Sequence, residues 1–557
     1  MIDEIIDELL RHRGIAPAEA EAFLNPKLAD LAKPCELPGI VEAADVILSA
    51  IAARRRIVVF GDYDCDGVSA TAILVRAISA ITGGGEETVA AFLPDRLTEG
   101  YGMSDASVAR MLKEYGDVAL VVTVDNGINS VGQIGALKAK GIGVVVTDHH
   151  LPSFAKAADG QPGEMLLPPA EAIVNPKVAS PEKLSELCGA GVAFLLANQL
   201  VTEATKRGLY SGPGLGGPLL VLAGLATVTD IMPLIGQNRI LVAEALRHFH
   251  AWAPLGIREL HARAARSTAA RLTSKDFSFM LGPRINAAGR LKSGMEALEL
   301  LLSDDREIAR ECARIVDLHN TERKAIELKM TDEAMAKVVP NAVAQVIDLP
   351  DGHPGVAGIV AARVLERLGG GVPVCVQANG HGSARSPDGL NIRDAFVACD
   401  QYLTTYGGHA AAGGFSVKPG QIDAFREALC DYCRKAGVKG ETSGVKTGPE
   451  LWLAPSDVTI ALAEALEKLE PFGEANEEPV LGLKDVRLAD VKTIGADGRH
   501  LSVAIASAQH VRAVWWGHGA LAEELRTAGA TPHDVTFNLI VSEYGERHVE
   551  LRVINID

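Results

Sequence analysis

Five short apolar runs, rich in β-branched residues, alternate with segments of helical periodicity in the first half of the chain. The runs lie at residues 57–60, 89–93, 118–124, 143–147 and 172–174, and the helical segments at 70–81, 104–115, 130–140, 189–206 and 218–226. Runs that are apolar throughout predict strands buried on both faces, and their alternation with helices predicts a doubly wound parallel sheet. This region is therefore expected to form an α/β domain.

The rest of the chain predicts an α/β multidomain protein, because 557 residues exceed one ordinary core and suggest about three to four domains. Strand patterns near 342–348, 372–378 and 381–385 indicate a smaller α/β unit, and residues 294–338 indicate a long connecting helix or two in sequence. Five strand candidates (483–494, 500–507, 511–516, 534–542 and 547–555) and one helical stretch at 519–528 predict a C-terminal β-barrel of the OB type. The expected divisions are a helical arm at 1–45 packed on the following domain, the parallel-sheet domain at 46–293, the connecting helix at 294–340, the smaller α/β domain at 341–437, and a linker and barrel at 438–557.

Composition favours a cytoplasmic protein without membrane contact. No uninterrupted apolar stretch approaches the roughly 20 residues needed to span a bilayer, and Met1-Ile2-Asp3-Glu4 lacks the basic start of a signal peptide. Eight cysteines are too sparse for a disulfide framework and are expected to be reduced thiols. The net charge of -17 opposes indiscriminate adhesion to nucleic acid but permits a local basic groove.

Two acidic segments follow predicted strands. Gly61-Asp62-Tyr63-Asp64-Cys65-Asp66-Gly67 follows the run at 56–60, and Thr147-Asp148-His149-His150 follows the run at 143–146. At an extended strand end, residues spaced by two point the same way, so the three aspartates of the first segment are expected on one side. Such crowding of like charges is costly without bound cations.

Asp125 and Asp230 are also expected to follow strands, which would bring four acidic strand ends to one edge of the sheet. An isolated aspartate at such a position is usually a cap or turn former, but four of them in one domain favour a metal centre. Carboxylates mixed with imidazole suit Mn²⁺ or Mg²⁺ better than Zn²⁺. Two closely spaced ions would activate water for attack on phosphorus.

In their order, these motifs resemble the DHH phosphoesterase superfamily and, within it, the RecJ-like bacterial exonucleases, from about residue 15 to the C-terminus. The resemblance implies two divalent ions, Mn²⁺ or Mg²⁺, with a support or catalytic role for Asp62 and His150. The implied metal ligands are Asp64, Asp66, Asp125, His149 and Asp230. Many relatives carry histidine where this chain has Phe60, so the affinity of one metal position is expected to differ.

Further segments contain cations and glycines suited to phosphate. The resemblance implies that Asn286 and Arg290 contact phosphate and that Arg284 contacts the strand. Segments 380–386 and 407–414 resemble the DHHA1 substrate-binding domain, and an aromatic residue and a cation follow the second strand. The substrate-binding candidates in these places are Ser383, Arg385, Gly408, His409, Arg96 and Tyr101. The structural alternatives are an ordinary salt-bridged loop, a glycine-rich tight turn and simple packing of the tyrosine.

The resemblance implies a 5′-to-3′ exonuclease that degrades single-stranded DNA to 5′ mononucleotides in repair and recombination. It also implies a monomer that works with a single-strand-binding protein and a helicase. Two alternatives stay open: a nanoRNase or cyclic-dinucleotide phosphodiesterase of the same superfamily, and a non-catalytic DNA-binding scaffold resembling Cdc45. The nanoRNases and cyclic-dinucleotide phosphodiesterases are usually shorter and lack the barrel. A Cdc45-like scaffold should have lost metal ligands that this chain keeps.

Overall fold

The computed structural model describes residues 2–85, 87–100, 102–154, 163–265, 271–438, 448–528, 531–542 and 547–557, apart from the side chains of residues 509 and 510. The chain begins with three helices: α1 (Ile2–His12), α2 (Ala20–Leu24) and α3 (Ile40–Ala52). Ile40, Ala43 and Ala44 of α3 pack in the core of the parallel-sheet domain that follows, whereas α1 packs elsewhere. Ile6, Leu9 and Leu10 of α1 share a core with the C-terminal barrel, because α1 places its apolar residues on one face and that face meets the barrel.

The predicted parallel sheet is confirmed, with the strand order β2-β1-β3-β4-β5. Its elements are β1 (Arg56–Phe60), α4 (Cys65–Thr82), β2 (Val89–Phe92), α5 (Asp105–Tyr115), β3 (Val118–Val124), α6 (Val131–Ala139), β4 (Gly143–Thr147), β5 (Ala172–Val174) and α7 (Gly189–Lys206). Ile57 and Val59 point into one core and Val58 and Phe60 into the other, so the sheet is covered on both faces. The strand order reverses between β1 and β3, and such a switch point opens a crevice beyond the carboxyl ends of the strands.

A helical region completes this domain. It comprises α8 (Gly216–Thr229), α9 (Gly236–Arg247), α10 (Phe249–Trp252), α11 (Leu255–Ala264), α12 (Ser274–Asp276), a π-helical turn at Phe277–Leu281, and α13 (Gly282–Leu291). The expectation that Asp230 follows a strand was wrong, because α8 runs through Thr229 and Asp230 caps its C-terminus. Residues 219–228 are all buried, so the run has no periodicity that separates a buried helix from a buried strand.

The predicted connection is two helices in sequence, α14 (Met295–Leu302) and α15 (Arg306–Met335). The break falls at Ser303-Asp304-Asp305, where the side chain of Asp305 accepts hydrogen bonds from the backbone N–H groups of Glu307 and Ile308 and caps α15. These helices lead from the parallel-sheet domain to the second α/β unit.

The second unit has a mixed sheet of order β6-β7-β8-β10-β9. Its elements are β6 (Gln345–Leu349), α16 (Ala357–Arg367), β7 (Val374–Ala378), β8 (His381–Arg385), α17 (Ile392–Ala398), β9 (Leu403–Gly408), β10 (Ala412–Val417) and α18 (Ile422–Lys435). The glycine-rich segment at 407–414 forms a hairpin between β9 and β10 that sequence patterns did not predict as strands. Gly408 has a φ of +128°, and a Cβ there would lie 2.4 Å from the carbonyl oxygen of Ala412.

The C-terminal region forms the predicted barrel. It comprises β11 (Leu451–Leu453), α19 (Ile460–Leu466), β12 (Leu481–Ile494), β13 (His500–Ile505), β14 (Ala508–Trp515), α20 (Ala522–Ala528), β15 (Pro532–Ser542) and β16 (His548–Ile556). Pairing of β12 with β15 closes five strands into a barrel, and the short β11 extends one edge in parallel. Trp515 is buried in the barrel, whereas Trp516 is exposed. Tyr544 lies outside the described residues.

Two features tie the barrel to the parallel-sheet domain. The buried guanidinium of Arg239 in α9 donates hydrogen bonds to the carbonyl oxygens of Phe23 and Glu470, each at 2.7 Å. The backbone N–H of Leu234 donates to the carbonyl oxygen of Glu474 at 2.8 Å.

Among the described helices, only Cys65–Thr82 has the length and composition of a membrane span, and 72% of it is buried in the protein, as in a core helix.

Candidate active site

The first acidic segment winds from a strand into a helix. It was expected to be extended, but β1 ends at Phe60 and α4 begins at Cys65. Asp64 is the N-cap of α4, and its Oδ1 accepts hydrogen bonds from the backbone N–H groups of Asp66 and Gly67 at 3.0 and 3.1 Å. A helical start competes well with an extended chain here, because an N-cap aspartate satisfies amides that would otherwise lack partners.

Asp66 lies in the first turn of α4 and is held by a second helix. Its two carboxylate oxygens accept hydrogen bonds from the backbone N–H groups of Gly189 and Ala190, at 2.7 and 2.8 Å, at the N-terminus of α7. A Cβ at Gly189 would lie 2.6 Å from the Cβ of Asp125. Only glycine therefore lets α7 approach both aspartates. Sequence reasoning missed this contact, although Cys188-Gly189-Ala190-Gly191 is a small-residue segment that opens a predicted helix.

His149 lies among three carboxylates. Its Nε2 is 3.1 Å from Asp125 Oδ1, 3.6 Å from Asp66 Oδ2 and 3.7 Å from Asp230 Oδ2. Burial lowers the pKa of His149, which favours the neutral imidazole that a metal requires. Asp125 occupies this position with a φ of +59°, a conformation that aspartate tolerates better than most residues.

Asp62 is fully buried. Neither of its oxygens accepts a well-formed hydrogen bond from any residue that the structure describes. Burial, followed by the charge of Asp64, raises the pKa of Asp62. A buried carboxylate without well-formed hydrogen bonds is costly, and a cation would remove that cost.

Phe60 occupies the position where many relatives carry histidine. Its ring packs against that of Phe92 inside the core, with ring centroids 5.0 Å apart.

Six side chains form two groups suited to divalent metal. The ligand atoms of Asp66, His149 and Asp230 lie within 4.8 Å of one another, and so do those of Asp62, Asp64 and Asp125. A third such group, Asp125, His149 and His150, shares one member with each of them. Burial and the neighbouring carboxylates raise the pKa of Asp125 and of Asp230. A donor set of oxygens and one imidazole is the kind that Mn²⁺ and Mg²⁺ accept. The residues present therefore fit two divalent ions.

Asp148 orients the second histidine of its motif. Its Oδ1 accepts hydrogen bonds from the backbone N–H groups of His149 and His150, and it lies 2.7 Å from His150 Nδ1. Burial alone would lower the pKa of His150, but the hydrogen bond and charge of Asp148 raise it to about 9. The His150 ring lies parallel to that of His409 in the second α/β unit, with centroids 6.1 Å apart. Asp148 was not among the predicted site residues.

Three arginines converge beside this centre. Burial, followed by the charge of Arg96, lowers the pKa of Arg290 to about 10 and also lowers that of Arg385. The guanidinium of Arg96 lies over the ring of Tyr63, 5.0 Å from its centroid. Cations that repel one another in a buried place are stabilised by an anion, so the cluster suits a phosphate.

The segment at 282–291 is wedged between the two α/β domains. Asn286 Oδ1 accepts a hydrogen bond from the backbone N–H of Cys65 at 2.7 Å. A Cβ at Gly289 would lie 2.2 Å from the carbonyl oxygen of Tyr63, so glycine permits close contact with the loop between Asp62 and Asp64. Arg290 Nη1 reaches the carbonyl oxygen of Gly355 in the second unit at 3.4 Å. The structure therefore brings Asn286 and Arg290 to the site.

The other predicted residues are distributed unevenly. Ser383 and Arg385 lie on β8 beside the start of α16, where a Cβ at Gly358 would be 3.5 Å from Ser383 Oγ and 3.2 Å from Arg385 Nη2. Gly358 was not predicted as part of the site. Arg284 instead forms an ion pair with Asp317 of α15, at 2.8 Å. Tyr101 lies outside the described residues.

Comparison with known proteins agrees with this architecture. Residues 56–212 match the family described as "DHH family, N-terminal domain", residues 340–435 match "DHHA1 domain" and residues 450–555 match "RecJ OB domain". Fold and site thus define a protein of the DHH and DHHA1 class. The chain belongs to the RecJ family: it is 37% identical over 497 residues to the single-stranded-DNA-specific exonuclease RecJ of Dickeya dadantii, a match that covers 84% of this chain and 81% of the relative.

Two further relatives extend the comparison. The chain is 32% identical over 515 residues to RecJ of Bacillus subtilis, covering 90% of this chain but only 62% of that relative's length. The crystal structure of RecJ in complex with Mn²⁺ from Thermus thermophilus is 31% identical and superposes with a TM-score of 0.81, covering 99% of this chain and 75% of that one.

Proposed function

We propose that this chain is a metal-dependent exonuclease that removes 5′ mononucleotides from single-stranded DNA. The observation that carries the proposal is the arginine cluster of Arg96, Arg290 and Arg385 beside the buried carboxylate–imidazole centre. A terminal phosphate held by these cations would leave the next phosphodiester within reach of the metal groups. Membership of the RecJ family supports the choice of single-stranded DNA.

The proposed ligands of one ion are Asp66, His149 and Asp230, and those of the other are Asp62, Asp64 and Asp125. Asp62 is thus proposed as a ligand, because it is fully buried and neither of its oxygens accepts a well-formed hydrogen bond from a described residue. When bound, two divalent ions supply an activated water and neutralise charge on the reacting phosphate.

The remaining side chains bind and orient the substrate. Asp148 fixes the tautomer and direction of His150, which together with His409 faces the cleft between the two domains. Asn286 holds the turn between Asp64 and Asp66 through the Cys65 amide and so keeps both carboxylates in place. The proposed polarity is 5′-to-3′, since Arg290 and Arg385 would recognise the phosphate that marks a 5′ end.

The test uses a single-stranded oligonucleotide with a 5′ phosphate, labelled at either end, in Mn²⁺ and in Mg²⁺. A 5′ label should appear at once as a mononucleotide, whereas a 3′ label should move gradually through shorter products. Asp125→Asn should abolish release, and Asp117→Asn, which changes an exposed carboxylate of the same domain, should not. Turnover of dinucleotides without turnover of long strands would support the small-substrate alternative, and binding without cleavage in either metal would support the scaffold alternative.

We further propose a cytoplasmic monomer that works with a single-strand-binding protein and a helicase. These proposals follow from what the resemblance to RecJ-like exonucleases implies. Sedimentation of the full chain tests the monomer, and stimulation of duplex degradation by each added partner tests the cooperation.

A further inference from the structure

Two large apolar side chains stand in solvent close in sequence to the contact between α8 and α13, which lies next to Asp230. Phe279 is 75% exposed and Ile231 is 70% exposed, the two highest values among the large hydrophobic side chains that the structure describes. Single exposed apolar residues are common on protein surfaces. These two differ because Ile231 directly follows Asp230, and Phe279 lies in the turn that leads into α13, whose Asn286 binds the loop of Asp64 and Asp66.

Ile231 directly follows Asp230 and has a φ of +56°. This left-handed conformation is rare and strained for a β-branched residue. Ile231 lies between the end of α8 and Met232, and the backbone N–H of Met232 donates a hydrogen bond to the carbonyl oxygen of Thr227 at 3.1 Å. The Ile231 side chain is therefore held in water next to a proposed ligand. Because it is exposed, burial of this side chain does not offset the backbone strain.

Phe279 lies in the π-helical turn at Phe277–Leu281, which continues directly into α13. The start of α13 meets the end of α8 next to Asp230, because a Cβ at Gly282 would lie only 2.1 Å from Thr229 Cγ2. π-Helical turns are rare and frequently occur at functional sites. Four residues beyond Gly282, Asn286 binds the loop of Asp64 and Asp66.

We propose that Phe279 and Ile231 form an apolar lip that receives nucleobases of the single strand beside the scissile phosphodiester. The proposal rests on the proposed exonuclease function and names the part of the substrate that this surface recognises: an unstacked base, irrespective of its identity. Phe279 offers a stacking face, which every base can use, and Ile231 packs against the same nucleotide or its neighbour. A paired base is already stacked within a duplex, so the lip favours single strands.

The test combines variants of the protein with abasic substrates. Phe279→Ala is assayed on 5′-phosphorylated oligonucleotides with one abasic position moved through the first five nucleotides. On an intact strand the variant should lose about 5- to 150-fold in kcat/KM, the range for one base–aromatic stack. At one abasic position wild type should show the same loss and the variant no further loss, and Phe279→Trp should restore activity on the intact strand. Val339→Ala, which changes a 52% exposed apolar residue beyond the end of α15, should resemble wild type throughout.

A second measurement does not depend on cleavage. Oligonucleotides that carry 2-aminopurine at each of the first five positions in turn are bound to metal-free protein at low salt, and at one position wild type should quench the fluorescence more than Phe279→Ala. Unchanged kcat/KM in Phe279→Ala, or equal additional loss at every abasic position, would overturn the proposal. Failure of wild type to cleave any strand would instead overturn the proposed function, whereas differential quenching would still support the lip.

Discussion

Gly189→Ala places one methyl group between Asp66 and Asp125, two of the proposed metal ligands. A Cβ at this position would lie 2.6 Å from Asp125 Cβ and 3.0 Å from both Asp125 Cα and Cγ. Ordinary contact begins at 3.4 Å, so Asp125 or the start of α7 must move by about 0.8 Å. The same movement pulls the amides of Gly189 and Ala190 away from Asp66.

The expected magnitude follows from these contacts. Overpacking a core position costs about 1–3 kcal/mol of stability. Displacement of catalytic groups by about 1 Å costs on the order of 100-fold in rate, because alignment at the metal centre is lost. Weaker hydrogen bonds to Asp66 add to the loss, since bonds to charged groups contribute about 1.5–3 kcal/mol.

The assay compares Gly189→Ala with Gly191→Ala in the first turn of the same helix. At Gly191 the nearest atom to a new Cβ is Leu187 Cδ2 at 3.3 Å, the end of a flexible side chain. Kinetics on 5′-phosphorylated single strands, Mn²⁺ titration by calorimetry and melting temperature are measured for both variants. Gly189→Ala should lose about 100-fold in kcat and bind Mn²⁺ more weakly, whereas Gly191→Ala should retain both. Wild-type kcat and Mn²⁺ affinity in Gly189→Ala would refute the reasoning.

Three more predictions concern buried charge. Asp62→Asn should raise the melting temperature of the metal-free protein at pH 8, because burial raises the pKa of Asp62 and makes its ionised form costly, and it should weaken one of two Mn²⁺ sites on the order of 100-fold by calorimetry; two unchanged sites would contradict this. Glu470→Gln should stabilise the protein at pH 8 by at most about 3 kcal/mol but hardly at pH 5, because burial raises the pKa of Glu470 from 4.5 to about 7 and native stability falls as pH rises between these values; a melting-temperature difference independent of pH would count against it. Arg239→Met should lower the free energy of unfolding by about 2–4 kcal/mol, because the carbonyl oxygens of Phe23 and Glu470 lose their donor, and the melting temperature should fall accordingly. Mn²⁺ affinity should stay unchanged. An unchanged melting temperature would show that other contacts hold the barrel in place.

Much of the fold could be predicted because local patterns dominate it. The β-branched runs predicted β1 to β5, since strands covered on both faces are apolar throughout. The end of α8 could not be predicted in this way, because a fully buried helix and a buried strand have the same composition over a few residues. The β9–β10 hairpin was missed because glycine has low strand propensity; β10 forms through pairing with β8, and β9 through pairing with β10.

The site was predictable as a set of residues but not in its geometry. The spacing of Asp62, Asp64 and Asp66 indicated a metal centre, yet the side chains converge through a strand-to-helix turn. The support of Asp66 by the amides at the start of α7 is a contact between residues more than 120 positions apart, which one sequence does not contain. The ion pair of Arg284 with Asp317 likewise depends on how α13 packs against α15.

The most direct measurement is a crystal structure with Mn²⁺ and a 5′-phosphorylated, non-hydrolysable oligonucleotide, with the ions located by anomalous scattering. The account predicts two manganese peaks, one among Asp66, His149 and Asp230 and the other among Asp62, Asp64 and Asp125. The 5′ phosphate should lie against Arg96, Arg290 and Arg385. Manganese outside these two groups, or a 3′ end in the arginine cluster, would contradict it.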